Sequence, residues 1–191
     1  MKAFIVVDMQ NDFITGALKN EHAESIVPKI IERIAANASK DCYLVATRDI
    51  HYDDYMKTAE AKKLPIPHCI EGTEGWKYNK EIHATLLTYL PAYANGDKAD
   101  EFFMIDVPYI DKPTFGSLDL VNYFYNIPEK ITEFTLCGTC TDICVVSNAL
   151  LLRAAFPDAT IKVIKECCAG TNKSSHEAAI LTMKNCQINI I

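Results

Sequence analysis

Short apolar runs alternate with segments of helical periodicity along this 191-residue chain, and this alternation limits the fold more than any other feature. Buried strands are predicted for the apolar runs at 3–7, 43–47, 101–106, 133–137, 160–164 and 187–191. Helices are predicted over 23–38, 117–126, 142–155 and 174–185, with a further helix near 77–89. Because strands that alternate with helices form right-handed crossovers, we predict an α/β fold: a three-layer, doubly wound sheet of about six mainly parallel strands.

The chain has the length of one domain, and we predict a single domain over residues 1–191. The stretch 50–99 fits the alternation poorly, since it combines Pro65, Pro67 and several charges with only one helical pattern. A loop-rich excursion of this length within a compact domain is usually functional.

Charge and hydropathy exclude several classes of partner. The net charge is −6 and no basic stripe is present, which argues against a nucleic-acid surface. No apolar run approaches the ~18 residues that a membrane helix needs. We expect no signal peptide, because the apolar segment at the N-terminus is short and is interrupted by an acid. We therefore expect a cytoplasmic enzyme that acts on a small molecule and keeps its eight cysteines as thiols.

Polar side chains stand where the predicted strands end. Ligands of open parallel sheets bind outside the carboxyl ends of the strands, so this topology would gather such residues at one edge. They are Asp8 after the first strand, Asp49 and His51 after the second, Lys112 after the third, and Cys140 and Cys144 after the fourth. This convergence predicts a catalytic site.

Cys144 has the surroundings of a nucleophile. Thr141 or Asp142 is expected to N-cap its helix, which places Cys144 in the first turn, where the helix dipole lowers a thiol pKa. With Asp8 as a base and Lys112 as a cation nearby, the thiol would be activated for covalent catalysis.

The pair formed by Cys140 and Cys144 in GTCTDICVV has two other interpretations. A structural zinc clamp needs a second ligand pair, which the adjacent Cys167 and Cys168 cannot easily supply. A redox pair stays open, although its spacing is not the usual CxxC.

Asp49, His51 and His68 predict a metal site. A carboxylate and an imidazole two residues apart at a strand end can turn to one point, and His68 can join them from a proline-stiffened loop. Two histidines and one carboxylate leave coordination positions open for water or substrate.

Several separated segments resemble the isochorismatase-like cysteine hydrolase superfamily, and most closely its metal-bearing nicotinamidase branch. They follow the order expected for that family and extend through nearly the whole chain. They are VVDMQNDF (6–13), TRDIH (47–51), PHCIEGTEGW (67–76), DKPTFGS (111–117) and GTCTDICVVSNALLLRA (138–154).

The resemblance implies a role for each residue at the strand ends. Asp8, Lys112 and Cys144 match the family's catalytic triad. The backbone amides of Cys140 and Cys144 match its oxyanion hole, which a cis peptide between Thr139 and Cys140 helps to orient.

The resemblance also implies a divalent metal ion, first zinc and alternatively iron or manganese, bound by Asp49, His51 and His68. Family members without metal generally lack the Asp-x-His pair. The expected partner is a small-molecule amide, with no nucleic acid and no membrane, and we expect a homo-oligomer.

The chain departs from the nicotinamidase pattern in the substrate pocket. Pro65 replaces a tryptophan that packs against the pyridine ring, and Tyr55 stands where another histidine is common. Phe13 matches an aromatic residue that lines the pocket, and Tyr109 or Trp76 would replace the missing wall.

The resemblance therefore predicts hydrolysis of nicotinamide to nicotinate and ammonia through a thioester. One alternative is a related hydrolase that acts on another small amide, which the missing tryptophan favours. A different class is a non-catalytic sensor based on a metal or on reversible oxidation of Cys140 and Cys144.

Overall fold

The computed structural model describes residues 1–89 and 107–191, and six strands in this part form one sheet. Every adjacent pair is parallel, and the spatial order is β3-β2-β1-β4-β5-β6. The strands are β1 Lys2–Val7, β2 Cys42–Asp49, β3 Tyr109–Lys112, β4 Glu133–Thr139, β5 Thr160–Ala169 and β6 Asn189–Ile190. The predicted α/β fold with a doubly wound parallel sheet is confirmed.

In residues 1–89 and 107–191, six α-helices cover the sheet. β1 is buried from Ala3 to Val7, as expected of a strand covered on both faces. The helices are α1 Asn11–Ile14, α2 Ala23–Asn37, α3 Lys80–Tyr89, α4 Leu118–Tyr125, α5 Val146–Ala155 and α6 Lys173–Asn185. Helix α2 packs against α3, and α5 packs against both α4 and α6. Within the described residues, no helix is long and apolar enough to cross a membrane.

The structure changes three predictions about single elements: the third strand, the last strand and the start of the last helix. The predicted strand at 101–106 lies outside the described residues; the third strand of the described sheet is β3, so Lys112 ends a strand instead of following one. The strand predicted at 187–191 is only Asn189–Ile190. Helix α6 begins earlier than the predicted start at 174, because the side chain of Asn172 caps it by accepting a bond from Ser175 N at 2.9 Å.

The excursion is loop-rich where it is described. Between 50 and 89, helix α3 is preceded by a short 3-10 turn, Tyr55–Lys57. The backbone of His51 bridges to that of Ile70, and Cys69 N donates to Asp12 Oδ2 at 2.8 Å. These contacts return the loop to the carboxyl ends of β1 and β2.

The strand order reverses between β1 and β4, and this switch point opens the crevice in which ligands of such sheets bind. Gly138 lies beside this switch point, where it pairs with Val7 of β1 and has a φ of +123°. A Cβ atom at Gly138 would lie 2.1 Å from Val7 O, so only glycine allows the two strands to approach here.

Replacement of Gly138 by alanine should therefore destabilise the protein by at least ~2 kcal/mol, through both the backbone clash and the positive φ. Chemical denaturation measures the change. Gly72→Ala is the matched control: Gly72 also has a positive φ, +79°, but a Cβ there meets nothing within 4 Å. We expect a loss of about 1 kcal/mol for the control. Equal losses for the two variants would contradict the proposed close approach.

Candidate active site

Asp8 directly follows β1 and is fully buried at the switch point. Its backbone is left-handed, with a φ of 48°, a conformation that Asp tolerates better than most residues. Thr47 Oγ1 donates to Asp8 Oδ1 at 2.6 Å, and Lys112 Nζ lies 2.6 Å from Asp8 Oδ2. The turn thus holds the carboxylate between β2 and β3.

Lys112 stands at the centre of the site. Its side chain is fully buried, and its Nζ lies 3.4 Å from Asp49 Oδ1 and 3.4 Å from Cys144 Sγ, besides the contact with Asp8. A buried ammonium is costly unless nearby groups of opposite charge and hydrogen bonds compensate for the lost water. These neighbours provide that compensation and fix the position of the Lys112 side chain. Asp8, Lys112 and Cys144 are therefore brought together, as the sequence predicts.

Cys144 lies on a single π-helical turn, Thr141–Val145, that precedes α5. Cys140 O accepts bonds from the amides of Ile143 and Val145, both at 3.1 Å. The peptide between Thr139 and Cys140 is cis, as the resemblance implies. Cys140 thus forms the corner between β4 and the turn that carries Cys144.

The predicted cap of this helix is wrong. Cys140 holds the cap position without a side-chain bond, because Thr141 and Asp142 have other partners. His176 Nδ1 and Thr141 Oγ1 are 2.9 Å apart, and Thr171 N donates to Asp142 Oδ1 at 2.8 Å. Both side chains tie the turn to the start of α6.

The expectation of a lowered thiol pKa is also wrong. Burial raises the pKa of the Cys144 thiol well above its usual value; Lys112 opposes this, while the charges of Asp8 and Asp49 add to it. A thiol whose pKa is raised in this way depends on a neighbouring base for its activation.

Burial raises the pKa of the Asp8 carboxyl as well, with Lys112 opposing and Asp49 adding to the shift. Burial alone would lower the pKa of Lys112, but Asp8, Cys144 and Asp49 outweigh it and hold that pKa well above its usual value. Lys112 remains a cation, and Asp8 is better matched to exchanging a proton than a solvent-exposed carboxylate would be.

Asp49, His51 and His68 form the predicted metal-binding cluster. All three are buried, and one donor atom from each lies within 4.8 Å of the others. His51 Nε2 is 3.1 Å and His68 Nε2 is 3.4 Å from Asp49 Oδ2. Ile66 O lies 2.8 Å from His68 Nδ1, and a proton on Nδ1 leaves Nε2 free to bind metal.

The chemistry of this donor set fits a divalent metal. Burial would raise the pKa of the Asp49 carboxyl, but hydrogen bonds with His51 and His68 outweigh it and hold that pKa below its usual value. Asp49 is therefore an anionic ligand beside two imidazoles, a combination that suits zinc or iron.

Glu60 completes the surroundings of the cluster and was not found from the sequence. Its Oε2 lies 3.9 Å from His51 Nε2, and its Oε1 lies 3.7 Å from His68 Nε2. Tyr55, where another histidine is common, packs against both imidazole rings with centroid distances of 4.8 and 5.1 Å. Its hydroxyl donates to Leu64 O at 2.7 Å, so Tyr55 supports the ligands instead of adding one.

Gln10 is a second residue that sequence reasoning missed. It is fully buried, and its side chain brackets the backbone of Asp49 by accepting from Asp49 N at 2.7 Å and donating to Asp49 O at 2.9 Å. The segment after β1 thereby fixes the metal-binding end of β2. Its only sequence signal is its position in the VDMQNDF motif.

The side chains of the three predicted pocket residues have different neighbours. Phe13 is buried, with its ring edge-on to His68 at a centroid distance of 5.9 Å. Trp76 and Tyr109 instead flank the guanidinium of Arg48, with their ring centroids 4.2 and 4.4 Å from its Cζ. Because Tyr109 is three positions before Lys112 in β3, its side chain points to the opposite face of the sheet from Lys112.

Comparison with known proteins agrees with this fold. The isochorismatase domain model matches residues 2–88 and 102–191. The nicotinamidase of Schizosaccharomyces pombe is 27% identical over 218 residues, covering 99% of this chain and 92% of that protein.

Two crystal structures are similar along their whole length. The zinc complex of a pyrazinamidase from Pyrococcus horikoshii has 25% identity and a TM-score of 0.76, covering 100% of this chain and 98% of the other. A nicotinamidase/pyrazinamidase from Bacillus subtilis has 28% identity and a TM-score of 0.75, covering 100% and 99%. With the family model matching nearly the full sequence, this chain belongs to the isochorismatase domain family.

Proposed function

We propose that this protein is a cysteine-dependent amidohydrolase that converts nicotinamide to nicotinate and ammonia through a thioester. The observation that carries the proposal is the buried contact of Lys112 Nζ with both Asp8 Oδ2, at 2.6 Å, and Cys144 Sγ, at 3.4 Å. An acid-base group, a cation and a thiol at one point form an activated nucleophile. The relatives named as nicotinamidases support the choice of substrate.

In the first half-reaction, Asp8 takes the proton of the Cys144 thiol as the sulfur attacks the carboxamide carbon. The raised pKa of Asp8 makes it an adequate base and a good acid for the next transfer. Lys112 stays charged and stabilises the thiolate and the negative charge that develops.

The carbonyl oxygen becomes an oxyanion when the sulfur–carbon bond forms. The backbone amides of Cys140 and Cys144, at the two ends of the same tight turn, are assigned to hold it. Such donors typically contribute about 3–4 kcal/mol to the stability of the transition state.

The tetrahedral intermediate then collapses, and the carbon–nitrogen bond breaks. Asp8 returns its proton to the leaving nitrogen, which departs as ammonia and leaves a thioester on Cys144. Water attacks the thioester carbon while Asp8 takes a proton from it, and nicotinate leaves as the sulfur is reprotonated.

Asp49, His51 and His68 would hold the metal ion, with zinc as the assigned metal because the zinc-bound relative shares this fold. When bound, the ion supplies a Lewis-acid position for a ring nitrogen of the substrate. Phe13, edge-on to His68, closes one side of the pocket. Pro65 is exposed and provides no aromatic wall, which leaves another small amide as the second candidate substrate.

Replacement of Cys144 by alanine should lower ammonia release from nicotinamide at least about a thousandfold, since no other group would form the thioester. The bound metal should stay at the level of the unchanged protein, because Cys144 is not one of the assigned ligands. Ammonia assays and elemental analysis measure the two quantities. Persisting turnover in this variant would exclude the proposed nucleophile.

Cys140→Ala should stay within about tenfold of the original activity, because alanine keeps the backbone amide assigned to the oxyanion. Cys140 serves as the matched control for Cys144, since both thiols lie around the same turn. If both substitutions were equally damaging, the two cysteines would not have different roles, and a redox pair would be the better interpretation.

Removal of the metal by a chelator should lower ammonia release from nicotinamide at least about tenfold, and added zinc should restore it. Benzamide, which lacks the ring nitrogen, should be a poor substrate in either state and serves as the matched compound. Acetamide tests for a smaller preferred amide. No release from nicotinamide by metal-loaded protein would move the assignment to a related hydrolase.

A further inference from the structure

Asn148 connects the two segments that carry Lys112 and Cys144. It lies on the first turn of α5, four residues after Cys144, and only 1% of its surface is exposed. A buried amide is costly unless its donors and acceptor are paired. The identity of its partners therefore indicates what this side chain does.

All three partners of Asn148 belong to the site or its flanking loop. Its Nδ2 donates to Cys144 O at 2.8 Å and to Phe115 O at 3.1 Å, and its Oδ1 accepts from Ser117 N at 2.9 Å. Both amide hydrogens and the carbonyl are thus used. One side chain binds the carbonyl of the proposed nucleophile and two positions of the loop 113–117.

That loop follows Lys112 without interruption and lies close against α5. A Cβ atom at Gly116 would be 2.7 Å from Leu151 Cδ1 and 3.5 Å from Ser147 Cβ. Lys112 itself ends a strand of four residues that pairs with β2 at the edge of the described sheet. The bonds from Asn148 supply a second attachment on the Cys144 side.

We propose that Asn148 is a positioning residue that holds Lys112 and Cys144 at the separation needed to activate the thiol. The inference rests on the proposed function, in which the lysine ammonium stabilises the sulfur 3.4 Å away. A displacement of about 1 Å between a catalytic pair can lower a rate a hundredfold, so a tether across this gap governs reactivity.

Asn148→Asp is the test variant, because it has nearly the same shape, keeps the acceptor for Ser117 N and removes both donors. Alkylation of Cys144 by iodoacetamide, followed by mass spectrometry of its peptide, should slow at least about tenfold. For nicotinamide, kcat should fall by a similar factor while KM stays within about threefold. Thermal unfolding establishes that the variant is folded.

Asn37→Asp is the matched control. Asn37 also donates from Nδ2 to the carbonyl four residues earlier, Arg33 O, at 2.8 Å. It is the last residue of α2, and its bond joins neither of the segments that carry Lys112 and Cys144. Its alkylation and kcat should equal those of the unchanged protein. Equal slowing in both Asp variants would show a general effect of helix stability and overturn the proposal.

Asn148→Ser decides the matter if the Asp variant does not fold. A serine hydroxyl can bond the carbonyl four residues earlier, as Ser147 Oγ does to Ile143 O at 2.6 Å, but it is too short for the loop. We expect the same slowing of alkylation and of kcat. A folded variant alkylated as fast as the unchanged protein, or faster, would overturn the proposal. Because alkylation needs no substrate, this result stands even if nicotinamide is not hydrolysed.

Discussion

The buried ammonium of Lys112 is the constraint on which the rest of the site depends. It lies among Asp8, Asp49 and Cys144, each contributed by a different segment at the carboxyl edge of the sheet. Loss of one partner from a buried ion pair typically costs about 3–5 kcal/mol, so the contacts to which we assign the chemistry also hold the strand ends together. Burial raises the pKa of the Cys144 thiol and of the Asp8 carboxyl. The same burial makes the loss of either partner of the Lys112–Asp8 ion pair costly to stability, so stability and reactivity are coupled at this site.

Much of this arrangement follows from the sequence because parallel topology is restrictive. Once apolar runs alternate with helical patterns, the carboxyl ends of the strands must meet, and the polar residues that end them meet as well. The expected meeting of Asp8, Lys112 and Cys144, and the separate cluster of Asp49 with its two histidines, needed no knowledge of side-chain contacts. The resemblance supplied roles for these residues, which remain proposals.

Features that depend on side-chain direction or on competition between partners could not be read from the sequence. The capping error arose because Thr141 and Asp142 bond to residues near α6, a long-range choice that local spacing does not reveal. The raised thiol pKa follows from burial and from the nearby charges of Asp8 and Asp49, which local sequence spacing does not reveal. Glu60 and Gln10 belong to no spacing pattern, and the rings of Trp76 and Tyr109 could be placed around Arg48 only from the structure. A single domain, a homo-oligomer and a cytoplasmic location stay predictions.

The reversal of strand order divides the chemistry between two halves of the molecule. On one side, β1, β2, β3 and the loop after β2 carry the proposed base, the buried cation and the candidate metal ligands. On the other side, β4 and the turn after it carry the proposed nucleophile and the assigned oxyanion amides. A substrate would lie across the seam between them. Substitutions in the loops on the first side can then change which substrate binds, while the proposed nucleophile and oxyanion amides on the second side stay the same. Substrate specificity can therefore diverge within this architecture without a new nucleophile, through different side chains on the opposite side of the crevice.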